Sequence, residues 1–151
     1  METPATPLPH GLPGAPTLLL AVSDDWLRGA LATAFRTDGW QVRLAPDGDA
    51  AWRAFLEAAG DFDLLLSEAR LPGLEGTALA GRLRALRPEL PGLLVDPDPE
   101  PGARRFCRRQ RLRLARLPLP LGEIVLRARK ELRRAAPVHA CRPPASVYAV
   151  A

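Results

Sequence analysis

The chain is poor in the residue types around which most small sites are built. Its only cysteines are Cys107 and Cys141, too few for a disulfide framework or a four-ligand zinc centre, so both are expected to be reduced thiols. Its only histidines, His10 and His139, sit in Pro-rich stretches near opposite ends of the chain, which argues against a metal or catalytic pair and leaves them without a role. Long apolar runs are missing too. The longest, Leu18 to Val22, falls far short of the roughly 20 residues a bilayer-spanning helix needs, and no basic region leads into an apolar stretch near Met1. Neither membrane insertion nor export is therefore expected, and a cytoplasmic location is. Lysine is nearly absent as well: of 21 basic residues only Lys130 is a lysine, as a GC-rich coding sequence would give.

Hydrophobic residues at 47% and charged residues at 25% are ordinary values for a folded domain, and 151 residues suit one core with short tails. Charge is divided unevenly. Residues 1–103 hold 8 arginines against 15 acidic residues, whereas residues 104–134 hold 12 basic residues against 2 glutamates, within a chain of net charge +4.

Residues 1–16 carry five prolines and no apolar periodicity, so they read as a disordered Pro-rich leader; residues 135–151 read as a disordered tail for the same reasons. Between them, residues 17–134 alternate short apolar runs with amphipathic stretches, the pattern of an α/β sheet. Thr17 to Val22 predicts a strand buried on both faces, ending in the polar Ser23-Asp24-Asp25. Leu27, Leu31 and Phe35 then recur at helical spacing, with Asp25 placed to cap the first turn. Trp40 to Leu44 is a second strand, Ala51, Trp52, Phe55 and Leu56 share a helix face, and Phe62 to Ser67 or Glu68 is a third strand. Thr77 to Leu86 is helical, Pro91 to Val95 a fourth strand, Gly102 to Gln110 a short basic helix with Phe106 and Cys107 inward, Leu112 to Leu117 a fifth strand, and Leu121 to Arg134 the last helix. The sum is a (βα)5 doubly wound parallel sheet, flavodoxin-like, whose chemistry belongs at the carboxyl ends of the strands.

At those ends Glu68-Ala69-Arg70-Leu71-Pro72-Gly73-Leu74-Glu75-Gly76 resembles the acceptor loop of response-regulator receiver domains of the CheY-like family, Asp-x-x-[Met/Leu]-Pro-Gly-x-x-Gly. Asp63-Leu64-Leu65-Leu66 and Ala45-Pro46-Asp47-Gly48 reinforce the likeness, which extends over about residues 17–134. The resemblance implies phosphorelay signal transduction in a two-component system: an acceptor aspartate ending the third strand, an acidic pair after the first strand holding Mg²⁺, a Ser or Thr ending the fourth, and a Lys before Pro at the fifth. This sequence departs from it at each position. The acceptor place holds Glu68, one methylene longer, and in-line phosphoryl transfer is sensitive to such displacement. Ser67 is no substitute, because neighbouring strand side chains point to opposite faces. A gapless match puts Val22 and Ser23 at the acidic pair, and a match with one deletion, which we prefer, puts Ser23 and Asp24 there. Asp24 and Glu68 are then the candidate metal ligands, with weak Mg²⁺ binding or none expected, and Asp24 serves equally well as a helix cap. Leu117 stands in the lysine's place, Asp96 near the hydroxyl's, and Leu114 near that of the switch aromatic. A degenerate pseudo-receiver is the expectation: no enzyme, and a phosphorylation-independent protein-binding module, with a still functional atypical phosphoreceiver or a nucleic-acid-binding protein using the Arg-rich 104–134 surface as the alternatives.

The resemblance puts the usual output face on the fourth helix, fifth strand and fifth helix, where the basic residues gather. Arg104, Arg105, Arg108, Arg109, Arg111 and Arg113 are the candidate partner-binding set. An acidic surface of another signalling protein, self-association, and nucleic acid are the candidate partners, and a plainly solvated arginine face is an equal alternative. Against nucleic acid stand the single aromatic of the segment, Phe106, and the acidic remainder of the chain.

Overall fold

A computed structural model describes residues 14–139. Five strands alternate with five helices: β1 (Thr17–Ala21), α1 (Asp25–Thr37), β2 (Gln41–Ala45), α2 (Gly48–Glu57), β3 (Leu64–Glu68), α3 (Gly76–Leu86), β4 (Gly92–Asp96), α4 (Pro101–Gln110), β5 (Arg113–Arg116) and α5 (Leu121–His139). All pairings are parallel and the order is β2-β1-β3-β4-β5, with Leu20 opposite Leu44 and Leu66, and Glu68 opposite Val95. The predicted (βα)5 architecture is the observed one.

Strict side-chain alternation sorts the central strands between two cores. Leu18, Leu20 and Val22, with Leu64 and Leu66, pack under Leu31 and Phe35 of α1 and Ile124, Val125 and Ala128 of α5. Leu19, Ala21 and Leu65 face the opposite layer, built from Phe55 of α2, Leu79 and Leu83 of α3, and Cys107 of α4. Burial on both faces is why these strands read as unbroken apolar runs.

Several boundaries shift by one or two residues from those expected, and two differences at helix ends stand out. Asp24, not Asp25, is the N-cap of α1: its Oδ2 accepts the Leu27 N–H at 2.7 Å, and Asp25 falls inside the first turn. The last helix runs on to His139, past the expected end at Arg134, and Ala135 is buried, so packing of this face carries the helix into residues assigned to the tail. Residues 1–13 of the leader, with His10, and residues 140–151, with Cys141, lie outside the described residues.

At the amino ends of the strands a charge lies in the interior. Arg87, fully buried after α3, donates through NH1 to the carbonyls of Gly60 and Phe62 and through Nε to Glu89 at 2.8 Å. It ties the end of α3 to the segment entering β3.

Candidate functional site

The sheet order fixes where a site can form. The chain leaves β1 for β2 on one side and returns to β3 on the other, so the loops after β1 and β3 diverge and open a crevice between their carboxyl ends. Ser23 follows β1 and Glu68 ends β3, and they meet there. Oε1 of Glu68 accepts from the Ser23 N–H at 2.8 Å and from the Ser23 hydroxyl at 2.9 Å. Ser67 points the other way, fully buried, and its hydroxyl donates to the Glu68 carbonyl at 2.8 Å, as strand alternation requires.

The Leu-Pro-Gly-x-x-Gly stretch shapes the crevice wall. A Cβ on Gly76 would lie 1.8 Å from the Glu68 carbonyl oxygen, and one on Gly48 would lie 1.9 Å from that of Leu74. Only hydrogen at both positions lets the loop pass between the start of α2 and the end of β3. The motif is thus a packing device that sets the position of Glu68.

Each candidate metal ligand already has one oxygen engaged. Asp24 is committed to the α1 cap, Asp25 is paired with Arg28 at 2.5 Å, and Glu68 accepts from two Ser23 donors through one oxygen. Arg28 also donates to the carbonyls of Val22, at 2.8 Å, and Ser23, at 3.3 Å, placing a guanidinium where an acidic pair would need a cation. Among the described residues no group of three or more His, Cys, Asp or Glu is arranged to hold a metal. The donor set does not fit Mg²⁺, which demands near-octahedral oxygen ligation.

The remaining positions bring out a residue the sequence reading passed over. Asp96 is 3% exposed, and both its oxygens are gripped by Arg70, Nε to Oδ2 at 3.2 Å and NH2 to Oδ1 at 3.1 Å. Arg70 also donates to the Asp98 carbonyl at 2.9 Å and lies 3.8 Å from Glu100, and the Asp98 N–H returns to Asp96 at 3.0 Å. The hydrogen bond and charge of Asp96 push the Arg70 guanidinium above its usual range. One arginine therefore staples the loop after β3 to the end of β4 and the start of α4. Leu117 is half-buried against the α1/α5 core, and Leu114 packs on the opposite layer.

The basic segment divides in two. Helices α4 and α5 cover opposite faces of the sheet, with the edge strand β5 between them. On the α5 side charges are mostly paired: Arg127 with Glu123 at 3.1 Å, Arg129 with Asp38 at 2.8 Å, Arg134 with Glu131 at 3.2 Å. Arg113 also belongs there, bonded to Glu131 at 2.8 Å, whereas the other five arginines of the candidate binding set lie on the α4 side. Arg104, Arg105, Arg108, Arg109 and Arg111 are all exposed, and none has an acidic partner among the described residues. Phe106 and Cys107 turn inward as expected, and burial pushes the Cys107 thiol up to about 11.

No family model matches the chain. It is 44% identical over 72 residues to the transcriptional activator protein PfeR of Pseudomonas aeruginosa, a match covering 46% of this chain and 22% of that protein. To the DNA-binding transcriptional regulator NtrC of Rhizobium meliloti it is 33% identical over 79 residues, covering 52% of this chain and 16% of the relative. The chain thus spans less than a quarter of the length of either relative. Among solved structures, the CheY-like receiver domain protein of Methanospirillum hungatei superposes with a TM-score of 0.74 at 18% identity, over 82% of this chain and 98% of that one. The non-phosphorylated HemR receiver domain of Leptospira biflexa gives 0.71 at 23% identity, over 78% and 94%. Strand order, the position of the crevice and these likenesses together show that the described domain has the fold of the CheY-like response-regulator receiver domains.

Proposed function

We propose that this receiver domain acts in two-component-type signal transduction as a phosphorylation-independent protein-interaction module, with no catalytic step or metal of its own. The observation that carries the reading is the closed bonding at the crevice: Glu68 is bonded by both donors of Ser23, while Asp96 is held by Arg70. A phosphorylation switch works only where the phosphoryl group meets groups that hold it in one state and not the other. In this domain the places that the receiver resemblance assigns to a hydroxyl and a lysine hold a carboxylate already paired and a half-buried leucine. A phosphoryl group at Glu68 would meet neither the hydroxyl nor the lysine of the receiver pattern, beside a carboxylate oxygen that already accepts two hydrogen bonds. Partners are other signalling proteins, as is general for receiver domains, and the setting we propose is the cytoplasm; no helix among the described residues is long and apolar enough to cross a membrane.

The test is to expose the full chain to Mg²⁺ and a small phosphodonor and follow intact mass, beside a receiver with an ordinary aspartate acceptor. No phosphoryl adduct is expected, and a protein recovered with the tagged chain from its native lysate should bind equally with and without the donor. An adduct mapping to Glu68 would establish an atypical phosphoreceiver and overturn the proposal.

A further inference from the structure

We propose that the outward face of α4 binds the phosphate backbone of duplex DNA without sequence preference. Every strongly exposed side chain from the second turn of this helix onward is an arginine. Ala103, Phe106, Cys107 and Gln110 take the inner face, leaving Arg104, Arg108 and Arg111 in one stripe and Arg105 and Arg109 in the next.

Arg108 and Arg109 suit the negative end of the helix dipole, but the rest of the arrangement works against the helix. Arginines repel one another at (i, i+4), as Arg104 and Arg108 do and Arg105 and Arg109 do, and no acid is interleaved to relieve them. Arg104 and Arg105 lie near the positive end of the helix dipole, the wrong end for a cation. Arg111 caps the helix at φ +58°, a left-handed conformation that glycine or asparagine adopts far more easily. A merely solvated face has no need of five uncompensated charges, whereas a polyanion neutralises them all.

The chemistry of the face selects among polyanions. Protein interfaces draw their energy from apolar and aromatic anchors at their centre, and α4 exposes none: Phe106 is turned in beside Gly81, and the exposed large hydrophobics Trp26, Leu44, Leu86 and Leu126 lie on α1, β2, α3 and α5. Nucleic-acid binding draws on phosphate contacts instead, for which the planar arginine fork is well suited. The absence of an exposed aromatic on α4 removes the stacking platform that single strands need. A rigid helix of about 10–12 Å diameter matches the B-form major groove of about 12 Å but not the narrow one of duplex RNA. With Gln110 half-buried, no exposed amide on α4 is available to read adenine. The inference is independent of the crevice and of the proposal made for it.

The experiment is a fluorescence-anisotropy titration of the full chain against a mixed-sequence DNA duplex of about one to two helical turns over a salt series. Five contacts correspond to a log–log salt slope near −4 to −5, so affinity should fall on the order of 10²–10³-fold between 50 and 200 mM salt. Arg108→Gln alone should flatten the slope by about one, and Arg104→Gln, Arg105→Gln, Arg108→Gln and Arg109→Gln together should nearly abolish binding. Circular dichroism reads the fold of both variants, and the single variant suffices should the quadruple one unfold. The control removes two charges from exposed α5 positions, Lys130→Gln with Arg133→Gln, and should change binding less than Arg108→Gln alone. Salt-insensitive or absent binding, equal loss in the α5 control, preference for a single strand, or equal displacement by poly-glutamate at matched charge would each overturn the assignment; the last would indicate an acidic protein partner.

Discussion

Replacing Gly76 by alanine asks whether the glycine of the acceptor-loop motif is there for packing. In an exposed helix the change is favourable, by roughly 0.4–1 kcal/mol, because alanine restricts the unfolded chain and forms helix better. At Gly76 the new Cβ meets the Glu68 carbonyl oxygen at 1.8 Å and the Ser67 Oγ at 2.9 Å. Carbon and carbonyl oxygen approach no closer than about 3.3 Å even in favourable C–H···O contacts, so α3 or the end of β3 must shift by about 1.5 Å. The obstacle is backbone, and it cannot rotate away. That backbone also carries the Gly76 N–H to Ala69 carbonyl bond at 3.0 Å and the Ala69 N–H to Val95 carbonyl bond at 2.9 Å. The upper part of the overpacking range therefore applies, and Gly76→Ala should destabilise by about 3 kcal/mol. Gly122→Ala is the internal control, also near a helix start but with nothing within 4 Å of the added carbon, and it should stabilise by roughly 0.4–1 kcal/mol. Urea unfolding followed by tryptophan fluorescence reads the difference. With a slope of about 2 kcal/mol/M for a domain of this size, the two midpoints should lie nearly 2 M apart. Coincident midpoints would refute the reasoning, because the contact at Glu68 would then be one the domain relieves at no cost.

Two further predictions concern the interior. Arg87→Met roughly keeps the volume but strips a donor from the Gly60 and Phe62 carbonyls and one partner from Glu89, and should lower stability by about 3–5 kcal/mol in the same urea assay; a loss under about 1 kcal/mol would show the bonds are replaced by water. Cys107, whose thiol is pushed up by burial from 9.0 to about 11, stays protonated in the folded domain while the unfolded chain releases its proton. Its contribution is therefore fully present below pH 9 and declines as pH rises toward 11, by a total of about 2–3 kcal/mol. In a Cys141→Ser background, the fall in stability across that window should shrink on Cys107→Ala, and an unchanged fall would contradict it.

Much of the fold was legible in the sequence because burial on both faces writes a strand as an apolar run. Leu18 to Val22 and Leu64 to Leu66 required no more than that, and Phe106 and Cys107 were readable as inward from helix periodicity. The position of the site was legible as well, since the glycine spacing around Leu71-Pro72-Gly73 marks the loop that Glu68 precedes. What was not legible depends on strands meeting. Arg70 and Asp96 are 26 residues apart and become partners only because β3 lies beside β4 with Glu68 opposite Val95, so a sequence reading finds an isolated loop arginine and a missing hydroxyl. Adjacent acids such as Asp24 and Asp25 differ by one backbone step, and the choice of cap depends on φ and ψ. Arg87 in Leu86-Arg87-Pro88-Glu89 has the composition of a surface turn, yet the chain entering β3 closes over it.

The bonding at the crevice bears on what can still vary in this domain. A ligand shifts a two-state equilibrium only by the difference in its affinity for the two states, and a phosphoryl group acquires that difference from the groups that move to meet it. Here those contacts are internal. Ser23 donates both its protons to one Glu68 oxygen, and Arg70 joins Asp96, the Asp98 carbonyl and Glu100, at the very start of α4. On the proposed reading, the orientation of α4 is therefore set by covalently encoded charge rather than by a transient one. On the same reading, the five exposed arginines of α4 and its C-cap have no acidic partner among the described residues to exchange for an external one, and their occupancy responds to ionic strength and to the concentration of the polyanion. If that coupling holds, Arg70→Ala should alter binding at α4 while leaving its salt slope intact, because the staple positions the helix but contributes no contact. A slope reduced by about one would place Arg70 in the interface itself and remove the crevice from the argument.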